Sequence, residues 1–207
     1  MELMLIRHAL PVRRELEEGI ADPELAPAGL AQARHLAEYL LSEPIDAVYS
    51  SPMRRAYQTA QPLAAAKGLS ITVVEDVAEW DRSSSEYVPL EELKAEGDPR
   101  WKALVAGDVE GRDLTPEEFS SRVVGALEAI IAAHPGGRIA VACHGGVVNA
   151  YLAHVLGIPV NPGFFYPNYT SIHRVAASRR GHRSIVTVNE TAHLRGTGLP
   201  MGVVQKP

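Results

Sequence analysis

The chain has 207 residues, 46% of them hydrophobic and 22% charged, which is ordinary for a globular protein that builds its core without disulfides or metal. Its net charge of −5 argues against nucleic acid or an anionic membrane as the main partner, because both favour a broad positive surface. The single cysteine, Cys143, excludes an internal disulfide and favours a reducing, cytoplasmic location. Since no apolar run approaches 18 residues and no signal peptide is evident, we expect no membrane segment.

Strand and helix patterns alternate along the chain. Short apolar or β-branched runs predict strands, in chain order, over 2–6, 45–51, 70–77, 138–143, 170–177 and 182–190. Apolar residues at helical spacing predict helices over 25–42, 52–68, 113–137 and 147–157. The alternation indicates a three-layer α/β/α sandwich with a mainly parallel central sheet, and the last two strands indicate an antiparallel edge.

Two segments depart from this rhythm. Residues 80–114 are polar with weak helical pieces, which indicates an insertion over one end of the sheet. We interpret the insertion as a lid over a site, with a plain surface excursion as the alternative. Residues from about 195 onward are punctuated by Gly and Pro, so we expect a mobile tail on a single domain that spans 1–207.

Polar side chains follow the predicted strands at the ends where ligands bind in an open α/β sheet. They include two histidines, two neighbouring arginines at the start of a helix, and several carboxylates: Arg7, His8, Arg54, Arg55, Glu75, Asp76, Glu79, Asp81 and His144. Arginine forks match phosphate oxygens, and a histidine between arginines is a candidate nucleophile toward phosphorus. Each residue alone would more often be a hydrogen-bonded boundary residue or a solvated charge, but their joint placement favours a phosphate site.

Competing sites are disfavoured by the same sequence. A cysteine phosphatase needs an arginine six residues after its cysteine, whereas Asn149 stands at that distance from Cys143. We therefore interpret Cys143 as a buried small hydrophobic residue. Phosphate-binding loops of the nucleotide-binding type, dinucleotide-binding motifs and paired metal ligands are absent from the sequence, so we predict neither a cofactor nor a metal site.

Six stretches in order resemble the histidine phosphatase superfamily, whose best-known branch is phosphoglycerate mutase. They are LIRHA at 5–9, DPELAPAGLAQA at 22–33, VYSSPMRRAYQTA at 48–60, VEDVAEW at 74–80, VACHGGVV at 141–148 and NETAHL at 189–194. The resemblance covers nearly the whole chain. It implies that His8 is the nucleophile that becomes phosphorylated, that Arg7, Arg55 and His144 bind the phosphoryl group, and that Glu79 donates the proton. Asp81 is the second choice for the proton donor.

The chain departs from the family pattern at two positions near His8. Ala9 replaces the glycine of the Arg-His-Gly motif, and a Cβ there is costly only if the position needs a positive φ or a very close backbone approach. Arg14 stands where many members place an asparagine that binds phosphate. It is therefore a candidate substrate-binding residue at a more basic entrance.

Trp80 stands where the mutase branch places an arginine that reads the carboxylate of phosphoglycerate. We therefore predict a phosphomonoester hydrolase, acting on a small phosphorylated metabolite, rather than a mutase. A third hypothesis, motivated by Ala9, is a catalytically weak phosphate-binding or regulatory protein on the same fold. The apolar run FFY at 164–166 suits a core position or an interface, so the sequence leaves a homodimer open.

Overall fold

A computed structural model of the chain describes residues 1–106, 113–159 and 164–203. The strands are β1 Glu2–Arg7, β2 Arg14–Glu15, β3 Ala47–Ser50, β4 Ile71–Val73, β5 Glu86–Tyr87, β6 Arg138–Cys143, β7 Ile172–Ala177 and β8 Arg183–Glu190. The α-helices are α1 Pro27–Tyr39, α2 Arg54–Lys67, α3 Leu90–Glu96, α4 Pro99–Ala106, α5 Pro116–Ala133 and α6 Gly145–Leu156. Short 3₁₀ turns cover Glu75–Val77 and Ala192–Leu194.

Six strands form one mixed sheet in the order β4-β3-β6-β1-β7-β8. The first four are mutually parallel, β7 is antiparallel to β1, and β8 is antiparallel to β7. The α/β fold with a mainly parallel sheet and an antiparallel edge is therefore confirmed. Strands β2 and β5 pair with each other in a separate two-stranded sheet.

The central strand β1 is buried on both faces, as its unbroken apolar run predicts. Leu3 and Leu5 pack into one core with residues of α5 and α6. Met4 and Ile6 point to the opposite face and pack with residues of α1 and α2. Successive side chains of a strand point to opposite faces, so this one short run contributes to both cores. The burial of β1 also fixes where the residue after it, His8, lies at the end of the sheet.

Helix α5 spans Pro116–Ala133, within the predicted range of 113–137. Thr115 is the N-cap, and its hydroxyl accepts from the Glu118 backbone N–H at 3.2 Å. The Glu118 carboxylate accepts from the Thr115 backbone N–H at 2.8 Å, which completes a capping box. Gly68 ends α2 in the left-handed conformation with φ 65°, as expected for a glycine after a helix.

The strand predicted over 70–77 is wrong in its second half. Strand β4 ends at Val73, and a 3₁₀ turn follows at Glu75–Val77. The physical reason is that β4 lies at the sheet edge and pairs only with β3, whose last pair is Ser50 with Val73. Beyond that pair the β-branched residues have no neighbouring strand to join, and the chain turns toward Glu79.

The insertion over 80–114 contributes β5, α3 and α4, while its residues 107–112 lie outside the described residues. The segment expected to be a mobile tail makes several hydrogen bonds in its described part. The Met201 carbonyl accepts from the Tyr169 N–H at 2.9 Å, and the Val203 carbonyl accepts from Lys94 Nζ at 3.2 Å. The Pro200 carbonyl accepts from the Gln32 side chain.

Candidate active site

The ends of strands β1 and β6 bring two histidines together. The two strands pair in parallel with Arg7 opposite Cys143, so His8 and His144 are the next residues on adjacent strands. Their ring centroids lie 5.2 Å apart. Both side chains are buried, with exposed fractions of 3% for His8 and 0% for His144. The register of two central strands thus creates the histidine pair.

The tautomer of His8 follows from its hydrogen bond. Its Nδ1 lies 2.8 Å from the carbonyl oxygen of Ala9, and a carbonyl can only accept. Nδ1 therefore carries the proton, and Nε2 keeps a free lone pair. Burial, and then the charges of Arg55 and Arg7, hold the pKa of His8 well below its usual value. His8 is accordingly neutral at pH 7, as a nucleophile must be.

Two buried arginines flank this histidine, and each lies against a tyrosine ring. The Arg7 guanidinium carbon lies 4.3 Å from the ring centre of Tyr169, and that of Arg55 lies 4.6 Å from the ring centre of Tyr87. Arg7 also donates through Nη1 to the Pro167 carbonyl at 2.6 Å. The rings fix the guanidinium planes by cation–π contact without consuming their N–H donors.

Several side-chain nitrogens around His8 have no hydrogen-bond partner among the described residues. They are Arg7 Nε, Arg55 Nε, Arg55 Nη1 and His144 Nδ1, all buried. Buried polar groups are almost always paired, because leaving one unpaired costs about 1–3 kcal/mol and more when the group is charged. An anion at this sheet edge would supply the acceptors that the Arg7 and Arg55 donors lack.

His144 is positioned by Ser51, which directly follows β3. The His144 Nε2 and Ser51 Oγ atoms lie 2.8 Å apart, and Ser51 Oγ also accepts from the Met53 N–H at 3.2 Å. Burial, followed by the charge of Arg55, lowers the pKa of His144 well below its usual value. A bound phosphate dianion would act in the opposite direction and favour the protonated ring.

The Glu79 carboxyl lies against the first turn of α6, where it accepts a hydrogen bond. Its Oε2 accepts from the Gly146 N–H at 2.7 Å, and its Oε1 accepts from the Trp80 N–H at 3.0 Å. A Cβ at position 146 would come within 2.2 Å of Glu79 Oε1, so only glycine admits the carboxyl here. Burial and the nearby charge of Asp81 raise the pKa of Glu79 above its usual value. Such a carboxyl retains its proton to higher pH than an exposed one does.

Asp81, the second choice for the proton donor, is held by Arg55. Its Oδ1 accepts from Arg55 Nη2 at 2.7 Å, and the arginine in this pair is fully buried. The ion pair fixes the position of the Arg55 guanidinium and occupies one oxygen of Asp81. Asp81 thus has a positioning contact that Glu79 lacks.

A cavity of about 640 Å³ opens from these residues. Arg7, His8, Arg55, Glu79 and Asp81 line its inner end, and the inserted segment forms much of its outer wall. Arg14 is not among the described lining residues. It lies on β2, where its Nη2 donates to Glu24 at 2.8 Å. Arg100 of α4 is the arginine that reaches the outer cavity instead.

Ala9 is accommodated without backbone strain. Among the described residues other than glycine, positive φ values occur at Thr170 and Asn189, so Ala9 lies outside the left-handed region. Its N–H donates to Thr59 Oγ1 at 2.9 Å, and its methyl packs with Leu25 and Ala33. The departure from the family motif therefore adds a buried contact.

Replacing Ala9 with glycine is expected to destabilise the protein by about 1 kcal/mol and to change kcat/KM by less than about threefold. Glycine loses the methyl contact and makes the unfolded chain more flexible, while the Thr59 hydrogen bond is unaffected. Urea unfolding and steady-state hydrolysis of an aryl phosphate measure the two effects. A tenfold gain in activity would show instead that the alanine impairs the natural protein.

Three side chains that contact the candidate site residues were not predicted from the sequence. Tyr87 and Tyr169 lie against the arginines, and Ser51 holds His144. Ser51 was visible as a polar residue directly after a strand, beside the strand that ends in Cys143. The tyrosines carry no such signal, because their contacts depend on how the insertion and the loop before β7 pack.

The remaining sequence predictions near the site concern Cys143 and metal ligands. Cys143 is fully buried in the core on the α5 and α6 side of the sheet. The described ranges contain no cluster of three or more His, Cys, Asp or Glu side chains that could hold a metal ion. Of the helices the structure describes, none is long and apolar enough to cross a bilayer.

The fold and the residues at this sheet edge define an α/β protein in which two buried arginines flank a neutral histidine. A sequence model of the histidine phosphatase superfamily (branch 1) matches residues 3–191. The chain therefore belongs to the histidine phosphatase superfamily.

Two relatives from Hydrogenobacter thermophilus match over nearly their whole length. Phosphoserine phosphatase 1 is 28% identical in an alignment of 201 residues that covers 94% of each chain. Putative phosphoserine phosphatase 2 is 30% identical in an alignment of 204 residues that covers 93% of this chain and 97% of the relative. The crystal structure of an Entamoeba histolytica phosphoserine phosphatase with 3-phosphoglyceric acid superposes with a TM-score of 0.71 at 26% identity. It covers 93% of this chain and 98% of that one.

Proposed function

We propose that the protein hydrolyses phosphomonoesters of small molecules through a phosphohistidine at His8, without a metal ion. The observation that carries the proposal is the set of buried, unpartnered guanidinium donors on Arg7 and Arg55, with the unpartnered Nδ1 of His144 beside them, around a neutral histidine. The phosphoryl oxygens of a substrate supply the acceptors that these donors lack. A cytoplasmic location remains part of the proposal, on the ground of the single buried cysteine.

In the first step His8 Nε2 attacks phosphorus in line with the ester oxygen. The N–P bond forms, the P–O bond to the alcohol breaks, and the proton on Glu79 goes to the leaving oxygen. The Nδ1 proton stays on the ring, and its hydrogen bond to the Ala9 carbonyl stabilises the positive charge that the ring acquires. Arg7, Arg55 and His144 offset the charge on the phosphoryl oxygens.

In the second step Glu79, now a carboxylate, takes a proton from a water molecule whose oxygen attacks phosphorus. The N–P bond breaks, and phosphate and neutral His8 are restored.

Mutase activity receives less support, because it needs the phosphoryl group to pass to another substrate hydroxyl. The position after Glu79 holds Trp80, which stacks on Phe119 at 3.8 Å between ring centroids, in place of a carboxylate-binding arginine.

Trapping the intermediate tests the mechanism. Acid-free rapid quenching during turnover, followed by proteolysis and mass spectrometry, is expected to find a phosphoryl group on the peptide that contains His8. The linkage should survive base and break in acid, as a phosphoramidate does. A phosphoryl group on a different residue, or burst kinetics with no labelled histidine, would overturn the phosphohistidine route.

A further inference from the structure

The cavity is much larger than a phosphate group needs. Its volume of about 640 Å³ lies within the range of roughly 300–1,000 Å³ that is usual for sites binding drug-sized ligands. The inner end, with Arg7, His8 and Arg55, accounts for the phosphate. The rest of the space is available to the alcohol portion of the ester, so the character of the outer wall bears on which alcohol fits.

Most of the outer wall is apolar. It includes side chains from the link between β5 and α3, from α3 and α4, from the segment before β7 and from the C-terminal segment: Val88, Leu93, Leu104, Phe165, Tyr166 and Val203. The tail residue Val203 is held in place through the hydrogen bond from Lys94, which lies on α3 next to Leu93. Burying an alcohol chain against these groups is favourable in proportion to its apolar area.

Several polar side chains of the outer wall already have partners within the chain. Arg100 donates to Glu86 at 2.9 Å and to Asp98 at 2.8 Å. The Asn149 amide bonds to the Gly145 carbonyl and to both backbone groups of Phe165. Ser83 donates to Asp113.

Arg7 and Arg55 belong to the phosphate end, so the described lining offers no uncommitted cation to a second anionic group. A substrate carboxylate would meet Glu86 and Asp113 as well as Arg100. Like charges in a partly enclosed site disfavour such a substrate.

We propose that the preferred substrate is the phosphate monoester of a bulky, largely apolar alcohol that carries no carboxylate. This inference rests on the proposed function, because it assigns the alcohol subsite of the same catalytic cavity. It differs from phosphoserine, for which two relatives are named, and from the 3-phosphoglyceric acid bound in the Entamoeba histolytica structure, which each carry a carboxylate.

Linear alkyl phosphates test the inference, because their leaving groups are chemically alike and differ in apolar area. From ethyl to hexyl phosphate, kcat/KM is expected to rise roughly threefold per methylene. Phosphoserine and 3-phosphoglycerate should be poorer substrates than propyl phosphate. A flat series, or a preference for the carboxylates, would overturn the inference while leaving the proposed phosphatase function intact.

A pair of neighbouring variants on α4 provides the matched control. Leu104→Arg places a cation in the wall and is expected to flatten the chain-length dependence and to raise the relative rate on 3-phosphoglycerate. Val105→Arg adds the same charge at a residue that is 59% exposed and outside the lining, and it should behave as the wild type does. Equal effects of the two variants would count against the subsite.

Failure of the proposed function can be separated from failure of the inference. If the folded protein hydrolyses no phosphomonoester, the proposed function fails, and calorimetric binding of alkyl phosphonates then tests the subsite alone. Affinity that increases with chain length would support the apolar subsite. Affinity independent of chain length would overturn it.

Discussion

Replacing His8 with alanine is expected to reduce phosphomonoester turnover by roughly 10⁴- to 10⁶-fold, the usual scale for losing a catalytic nucleophile. Alanine has no lone pair to attack phosphorus, and water would have to attack without the pre-positioned ring. Arg7, Arg55 and His144 keep their places, because their contacts to Pro167, Asp81 and Ser51 do not involve the His8 side chain. The variant should therefore still bind inorganic phosphate, which a shift in melting temperature would report.

The control for His8 is another histidine, His182, which is exposed in the turn between β7 and β8. His182→Ala should retain wild-type turnover. If His8→Ala is folded, binds phosphate and retains more than a tenth of the wild-type kcat, the nucleophile must be another group. If the variant loses phosphate binding as well, its loss of turnover reports a damaged site, and His8→Asn becomes the better test.

The central part of the site could be predicted from sequence because it depends on strand ends. An apolar run that is buried on both faces ends where its first charged residue appears, which placed Arg7 and His8 at the carboxyl edge of β1. The same reasoning placed His144 at the edge of β6. Parallel strands bring their carboxyl ends to one side of a sheet, so the convergence needed no knowledge of loops.

The outer part could not be predicted, because it depends on packing between segments far apart in the chain. The family resemblance made Arg14 a candidate substrate ligand, and nothing in the sequence indicated that β2 pairs with β5 or that Arg14 donates to Glu24. The tail looked mobile from its glycines and prolines, yet its carbonyls accept from Tyr169 and Lys94. Composition reports local backbone preference and carries no information about such distant partners.

The effect of Ala9 on activity depends on why the family motif has a glycine at this position. The family glycine raised a concern only on the assumption that the position requires a left-handed backbone or close contact with phosphate. The backbone there is ordinary, and the methyl fills a small apolar cluster with Leu25 and Ala33. The first of these two conditions is therefore not met, and the Ala9→Gly comparison tests the second.

Replacing Glu79 with glutamine is expected to lower kcat/KM for an alkyl phosphate by roughly 10²- to 10⁴-fold, the range for losing a general acid. The amide keeps much of the shape but donates no proton to the leaving alkoxide. For 4-nitrophenyl phosphate the loss should be far smaller, because nitrophenolate leaves without protonation. The measurement is the ratio of kcat/KM for the two esters in wild type and variant.

The pH dependence of the rate also tests the assignment of Glu79 as the proton donor. Glu79 must be protonated in the first step, so the rate on alkyl phosphates should fall as pH rises through its pKa, which burial raises above the usual value. That alkaline limb should vanish in Glu79→Gln. His8 adds no acid limb near neutrality, because its pKa lies well below 6.5 and it stays neutral as pH falls toward 6.

Asp81→Asn separates the two carboxylates. Asp81 positions Arg55 through the 2.7 Å ion pair, so this variant should weaken phosphate binding and slow both esters by a similar factor. If the loss of kcat/KM depends on the leaving group in Asp81→Asn and not in Glu79→Gln, the proton donor is Asp81 and not Glu79. Glu79 contacts the Gly146 N–H, whereas Asp81 contacts the Arg55 guanidinium. Loss of a proton donor slows an ester with a poor leaving group more than one with a good leaving group, whereas loss of a positioning contact slows both alike.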